Sequence, residues 1–236
     1  MLSTLCSEWN KGFEQLKVSY DETLKAFFFE FRPSPLPSFT PKILEEINAC
    51  QERLARYLDQ DAKAEERNVE YLVSCSAVPG VFQLGGDLQF FLDCIDSGDR
   101  ERLRAYAHLS IDVLYANYIN CGQRHEITSI SLVEGTALGA GFEAALSSDF
   151  IIAQSGVEFQ FPEVVFNMFP GMGAYSFLGR RAGQGLVERM IIGGKPVSAE
   201  KFYEQGVIDE LAEPGKGRQA LEQFILGIGQ LKQSAR

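Results

Sequence analysis

Apolar positions along this chain fall into two periods, and the alternation between them predicts most of its elements. Residues 1–17 read as an amphipathic or frayed leader. Val18 to Phe31 is strand material broken around Asp21-Glu22, and its three successive Phe predict a strand buried on both faces. Arg32-Pro33-Ser34-Pro35-Leu36-Pro37 suits neither helix nor central strand and predicts a crossing loop. Thr40 then caps a helix with Pro41 at its first position, and Ile43, Leu44, Ile47 and Leu54 form its apolar stripe. The charged stretch Asp59 to Arg67 reads as an exposed loop.

Val69 to Ser74 is a strand ended by Pro79-Gly80, and Leu88 onward starts a short helix. Asp99 to Ile119 carries the longest helical pattern, with Leu103, Tyr106, Leu114 and Tyr118 on or near one stripe. Ile127 to Val133 is a strand that delivers the small-residue turn Gly139-Ala140-Gly141, which opens another helix. Ala174 to Leu178 and Leu186 to Ile192 are helical pieces separated by Gly179 to Gly185, and Gly193-Gly194 ends the second. Ser198 caps a helix that stops at Gly206, Val207 to Leu211 is a short strand, and a final helix runs from about Arg218 to Lys232. Strand–strand–helix units repeated in this way predict an α/β fold.

Composition narrows the function classes. With 45% hydrophobic residues and 18 Phe, the 236-residue chain can bury a sizeable core. A net charge near −10 argues against nucleic acid and against an anionic membrane surface. An acidic carrier protein would need a local basic patch, for which Arg100, Arg102 and Arg104 are candidates. At alternate positions on a helix those three do not share a face, so a solvated surface is the plainer reading. Five cysteines without a CxxC give no zinc or disulfide framework. No signal peptide or long apolar span appears, which fits a reducing cytoplasm. His108 lies in a helical pattern and His125 in a charged loop; both read as structural or surface residues, and no metal site is expected.

The candidate chemistry concentrates between Val133 and Gly173. Free amides at the turn 139–141 can bind a phosphate or polarise a thioester carbonyl. The glycine spacing of 135–140 is not a dinucleotide fingerprint, no Lys-Ser or Lys-Thr follows, and Glu143 would repel a phosphate. Glu143 sits in the first helical turn, and Glu163 follows Pro162. Two carboxylates in apolar surroundings suit general acid–base work, because burial and a like-charged neighbour both raise a carboxyl pKa. Phe159, Phe161, Phe166 and Phe169 flank Glu163 and can supply that environment. The plainer alternative makes Glu143 a helix-dipole partner and Glu163 a solvent-facing residue.

Residues 133–143, VEGTALGAGFE, resemble the V-x-G-x-A-x-G-G-G-x-E segment of the crotonase (enoyl-CoA hydratase/isomerase) superfamily. Phe161-Pro162-Glu163 with Pro170-Gly171-Met172-Gly173 is similar to its P-E…PG-x-G segment. Gly80 to Leu88, GVFQLGGDL, resembles its first oxyanion-hole loop. Ala140 replaces the usual middle glycine, a small departure because only its amide is needed. Pro79–Leu88, Gly141–Leu146 and Phe166–Phe177 further resemble the diffusible-signal-factor (DSF) synthase branch, which makes cis-2-unsaturated fatty acid signals for bacterial quorum sensing.

That resemblance covers about residues 18–215, a catalytic core, with 216–236 a C-terminal helical segment and 1–17 a leader. It implies a crotonase-type spiral of ββα units with peripheral C-terminal helices. Glu143 and Glu163 would be catalytic, and the amides of Gly86 and Ala140 would hold the thioester oxygen. Phe161, Met168, Phe169 and Met172 are candidates for an acyl pocket, though such residues also build plain core. The implied substrate is a medium-chain 3-hydroxyacyl thioester on acyl carrier protein or CoA, dehydrated to a cis-2-enoyl thioester and then hydrolysed to the free acid. No metal or redox cofactor is implied. A plain 2-enoyl-CoA hydratase is the alternative enzyme, and a regulatory partner of a sensor kinase domain is the alternative of another class. A homo-oligomer, trimer or hexamer, is implied as well. Crotonases commonly carry further C-terminal helix, so a chain ending at Arg236 is expected to be short or to lack that part.

Overall fold

The structure, a computed structural model, describes residues 2–61, 68–123 and 126–234, with side chains to residue 229. In chain order the elements are α1 (Leu2–Trp9), β1 (Leu16–Asp21), β2 (Ala26–Phe31), α2 (Pro41–Asp61), β3 (Tyr71–Ser76), β4 (Val81–Gln83), α3 (Leu88–Ser97) and α4 (Arg100–Tyr118). There follow β5 (Thr128–Val133), β6 (Thr136–Leu138), α5 (Ala140–Leu146), β7 (Phe150–Gln154), β8 (Glu158–Gln160) and a 3₁₀ turn at Glu163–Phe166. The chain closes with α6 (Ala174–Ala182), α7 (Gln184–Gly193), β9 (Val197–Ser198), α8 (Ala199–Glu204), β10 (Glu210–Ala212) and α9 (Gly217–Ser234).

Among the described residues the strands form two sheets, ordered β1-β2-β3-β5-β7-β10 and β4-β6-β8-β9. The larger is parallel from β2 onward. Each repeat places its first strand in the larger sheet and its second in the smaller: β3 then β4, β5 then β6, β7 then β8. This is the ββα spiral expected of a crotonase-type α/β fold. The functional loops all leave the second strand of a repeat.

Alternation along β2 explains why all its residues but Glu30 are apolar. Phe27, Phe29 and Phe31 face the main core, whereas Ala26 and Phe28 face a second core. Leu221 and Ile225 of α9 cover that second core, and the Arg218 guanidinium lies 4.3 Å from the Phe28 ring centre. Arg32–Pro37 is irregular, as its prolines require. The Thr40 hydroxyl accepts from the Ile43 N–H at 3.2 Å and starts α2, whose stripe Ile43, Leu44, Ile47 and Leu54 is fully buried.

Several boundaries differ from the sequence reading. Helix α2, at 21 residues, is longer than α4, at 19. It runs on through Asp61 because Leu58 is buried and the Asp61 carboxylate accepts from the Asn68 and Val69 N–H groups; residues 62–67 of the expected loop lie outside the described residues. Helix α6 continues through Gly179 to Ala182, and Gly183, at φ 81°, is what separates it from α7. Arg181 holds that last turn, donating to the carbonyls of Ser148, Asp149 and Val207 and to the Asp209 carboxylate. The strand expected at 207–211 begins only at Glu210, since the Val207 and Ile208 N–H groups turn back to the Phe202 carbonyl and close α8. Helix α1 forms from the leader and buries Leu2 and Cys6.

Candidate active site

The repeats deliver their loops to one cleft. After β4 the chain turns at Gly85, with φ 95°, and its carbonyl accepts from the Phe39 N–H at 2.7 Å. Asp87 then caps α3, its carboxylate accepting from the Phe90 N–H at 3.1 Å. After β6 the chain turns at Gly139, whose φ of 50° and ψ of −123° admit essentially glycine alone. The Gly139 N–H is tied to the Gln160 carbonyl, and Ala140 is the first residue of α5, so its own N–H has no intrahelical acceptor. The two loops touch. A Cβ on Gly85 would lie 3.0 Å from the Leu138 carbonyl oxygen and 3.4 Å from the Ala140 nitrogen.

Glu143 follows one turn later and is 1% exposed. Its Oε1 accepts from the N–H groups of Met172 and Ala174, each at 2.8 Å. The carboxylate therefore pins the loop that opens α6. Burial pushes its pKa up to about 7, against the lowering effect of those amides, and the nearby Glu163 raises it further. With Oε1 engaged by two donors, Oε2 is where a proton belongs.

Glu163 opens the 3₁₀ turn after β8. Its Oε1 occupies the space a side chain on Gly139 would need, 2.4 Å from a Cβ built there. Its Oε2 is buried without a hydrogen-bond partner, and burial raises this carboxyl too. An unpaired buried carboxylate oxygen is costly, and a hydrogen-bond donor on a substrate would satisfy it.

A cavity of about 730 Å³ takes in Gly86, Ala140, Glu143 and Glu163. Met168, Phe169 and Met172 line it, as does Phe166. Phe161 does not. It is fully buried and stacks on Phe142 at 4.9 Å, because Phe159 and Phe161 share the inward face of the chain leaving β8. Of the four phenylalanines expected around Glu163, only Phe166 and Phe169 thus reach the cleft. The opposite wall comes from Leu88, Phe91 and Ile95 of α3 and from Leu103, Ala107 and Ile111 of α4. Sequence reasoning missed this wall. Its signal was present as two stripes at helical spacing, but such stripes look the same whether they face a core or a ligand.

Other candidates lie elsewhere. Arg100, Arg102 and Arg104 are exposed on α4, with Arg102 resting 4.8 Å from the Phe90 ring centre. His108 is exposed, and His125 lies outside the described residues. The five cysteines are free thiols. Among the described residues no cluster of three His, Cys, Asp or Glu could hold a metal, and no helix is long and apolar enough to cross a membrane.

Two loop amides and two carboxylates around an apolar cleft, hung on a ββα spiral, define a crotonase-type protein. Residues 32–214 match the enoyl-CoA hydratase/isomerase family, and the chain belongs to that family. It is 27% identical over 168 residues to the glyoxysomal fatty acid beta-oxidation multifunctional protein MFP-a of Brassica napus, covering 71% of this chain. That match spans only 22% of the Brassica protein. It is 24% identical over 203 residues to the crotonyl-CoA hydratase of Syntrophomonas wolfei, covering 86% of this chain and 71% of that one. The structure of Pseudomonas aeruginosa DspI superposes with a TM-score of 0.77 at 24% identity, over 92% of this chain and 81% of that chain, a likeness of fold.

Proposed function

We propose that the protein interconverts 3-hydroxyacyl and 2-enoyl thioesters, and that it works in the dehydrating direction on a medium-chain substrate. One observation carries this reading: two carboxyls with raised pKa values face one apolar cleft beside two loop amides. One carboxylate takes the C2 proton, and the charge that develops on the thioester oxygen rests on the Gly86 and Ala140 amides. The other carboxyl protonates the 3-hydroxyl, which leaves as water. The pair shares its protons, so neither glutamate is assigned acid or base alone.

The DSF-like segments favour a second step at the same place. Water activated by a carboxylate adds to the thioester carbon, the carbon–sulfur bond breaks, and the thiol departs with a proton. The product is a free cis-2-enoic acid. The names of the sequence relatives favour instead a hydratase that stops at the thioester.

Product analysis by mass spectrometry separates these outcomes. The protein is mixed with 3-hydroxydodecanoyl thioesters of acyl carrier protein and of CoA, with a double Glu143→Ala, Glu163→Ala variant as control. Free cis-2-dodecenoic acid, absent from the control, is the expected result. A trans-2-enoyl thioester without free acid would make the protein a hydratase. No turnover by folded protein would sink the enzymatic reading.

The amide donors have their own test. Proline is tolerated at a first helical position, so Ala140→Pro should keep α5 while deleting one N–H. Turnover should fall about 10²-fold or more, the usual cost of losing an oxyanion donor. Circular dichroism should be unchanged. Full activity would move the donor elsewhere.

A further inference from the structure

The loop that carries Gly86 pairs with Phe39 in an isolated parallel bridge, and a side chain from another helix braces that pairing. The Gly85 carbonyl accepts from the Phe39 N–H at 2.7 Å. A trans peptide sets its carbonyl and the following N–H on opposite sides, so this bond turns the Gly86 N–H away from Phe39. The Tyr106 hydroxyl, on α4, donates to the Phe39 carbonyl at 2.6 Å and accepts from the Asp87 N–H at 3.4 Å. Both peptide units that flank the Gly86 α-carbon are thereby tied into one ring of hydrogen bonds through Phe39 and Tyr106.

The ring has little slack. Tyr106 packs against Phe90 and Phe91, with ring centres 5.2 and 5.1 Å apart, and the Ser110 hydroxyl donates to its carbonyl at 2.8 Å. A Cβ on Gly86 would lie 2.8 Å from the Phe91 ring and 3.5 Å from the Tyr106 hydroxyl. Burial pushes the phenol up to about 12, so the hydroxyl remains a donor across the working pH range. A tyrosine needing only a partner for its hydroxyl would be satisfied by any carbonyl. This one joins the backbone on both sides of a single peptide N–H.

We propose that Tyr106 is a positioning residue that holds the Gly86 N–H on the thioester oxygen. The proposal rests on the oxyanion reading given above. It predicts that removing the hydroxyl misaims the donor without emptying the cleft. Tyr106→Phe should bind substrate within about twofold of wild type yet lose about 10²-fold in kcat, the scale of an ångström-sized misplacement.

The deciding probe is dodecanoyl-dethia-CoA, in which CH2 replaces the thioester sulfur so that the labelled carbonyl cannot be hydrolysed. Its carbonyl stretch is read by isotope-edited infrared difference spectroscopy on the intact chain. In wild type the band should move to lower frequency on binding, and in Tyr106→Phe it should return toward the free ligand. An unshifted band in wild type would refute the oxyanion reading itself. A wild-type band in folded Tyr106→Phe would overturn the positioning role alone. Should Tyr106→Phe not fold, 4-aminophenylalanine at position 106 decides, because its amine can still donate to the Phe39 carbonyl and offer its nitrogen lone pair to the Asp87 N–H. A folded protein with the shifted band supports the proposal, and one with the free-ligand band refutes it.

Discussion

Glu143→Gln is expected to lower kcat by about 10³-fold, within the usual range for losing a general acid or base, while making the protein more stable at pH 8. Both effects follow from burial. The folded state holds the Glu143 carboxyl near a pKa of about 7, above its ordinary value of 4.5. Between those pH values the folded protein keeps a proton that the unfolded chain has released. Stability from this group therefore falls as pH rises from about 4.5 through about 7, and the full penalty persists above that. A shift of this size corresponds to a penalty on the order of 3 kcal/mol. Glutamine removes it and keeps an oxygen for the Met172 and Ala174 amides. Urea unfolding at pH 5 and pH 8 checks the sign: the gain should appear at pH 8 and be small at pH 5. Glu143→Ala should lose the same activity but strand two buried amides, each costing about 1–3 kcal/mol. Equal stabilities for the Gln and Ala variants would show that the carboxylate does not pin the loop.

Glu163→Gln is the companion case, and its expected signature is a change in pH profile. In wild type kcat/KM should rise and fall with pH, because one carboxyl of the pair must be charged while the other is protonated. With Glu163 neutralised, one limb should vanish and turnover should drop by about 10²–10⁴-fold. The fold should not suffer, since the buried Oε2 has no partner to lose. A two-limbed profile at near-normal rate would remove Glu163 from the mechanism.

How much of this was legible in the sequence depended on what each residue touches. Strands β1, β2, β3 and β5 and the Thr40-Pro41 helix start were legible because their signals are local, whereas β4, β6 and β8, of three residues each, are too short to show a period. Glu143 and Glu163 stood out through the motif segments, although nothing in the sequence alone brings residues twenty apart to one cleft. Phe161 takes the second of the two places open to it, core rather than cleft wall. Plain alternation with Phe159 already put it in the core. Gly179 misled in the other direction. A glycine costs a helix about 1 kcal/mol relative to alanine, but the hydrogen bonds of Arg181 across to 148, 149, 207 and 209 are tertiary and leave no local trace. The α3–α4 wall was visible as apolar spacing, and only the fold says that a cavity lies beside it.

The two amide-bearing loops leave neighbouring parallel strands, β4 and β6. Hydrogen-bonded strands lie about 4.8 Å apart, and an oxygen shared by two N–H donors sits about 2.9 Å from each nitrogen. The two loops thus leave the sheet one strand spacing apart, a separation on the scale of two donors that share one oxygen. Strand pairing brings the two loops side by side, and Tyr106, on the proposal above, aims one of the two donors. Substitutions of the carboxylates or of the apolar cleft wall leave that strand pairing intact, provided each loop keeps its peptide N–H.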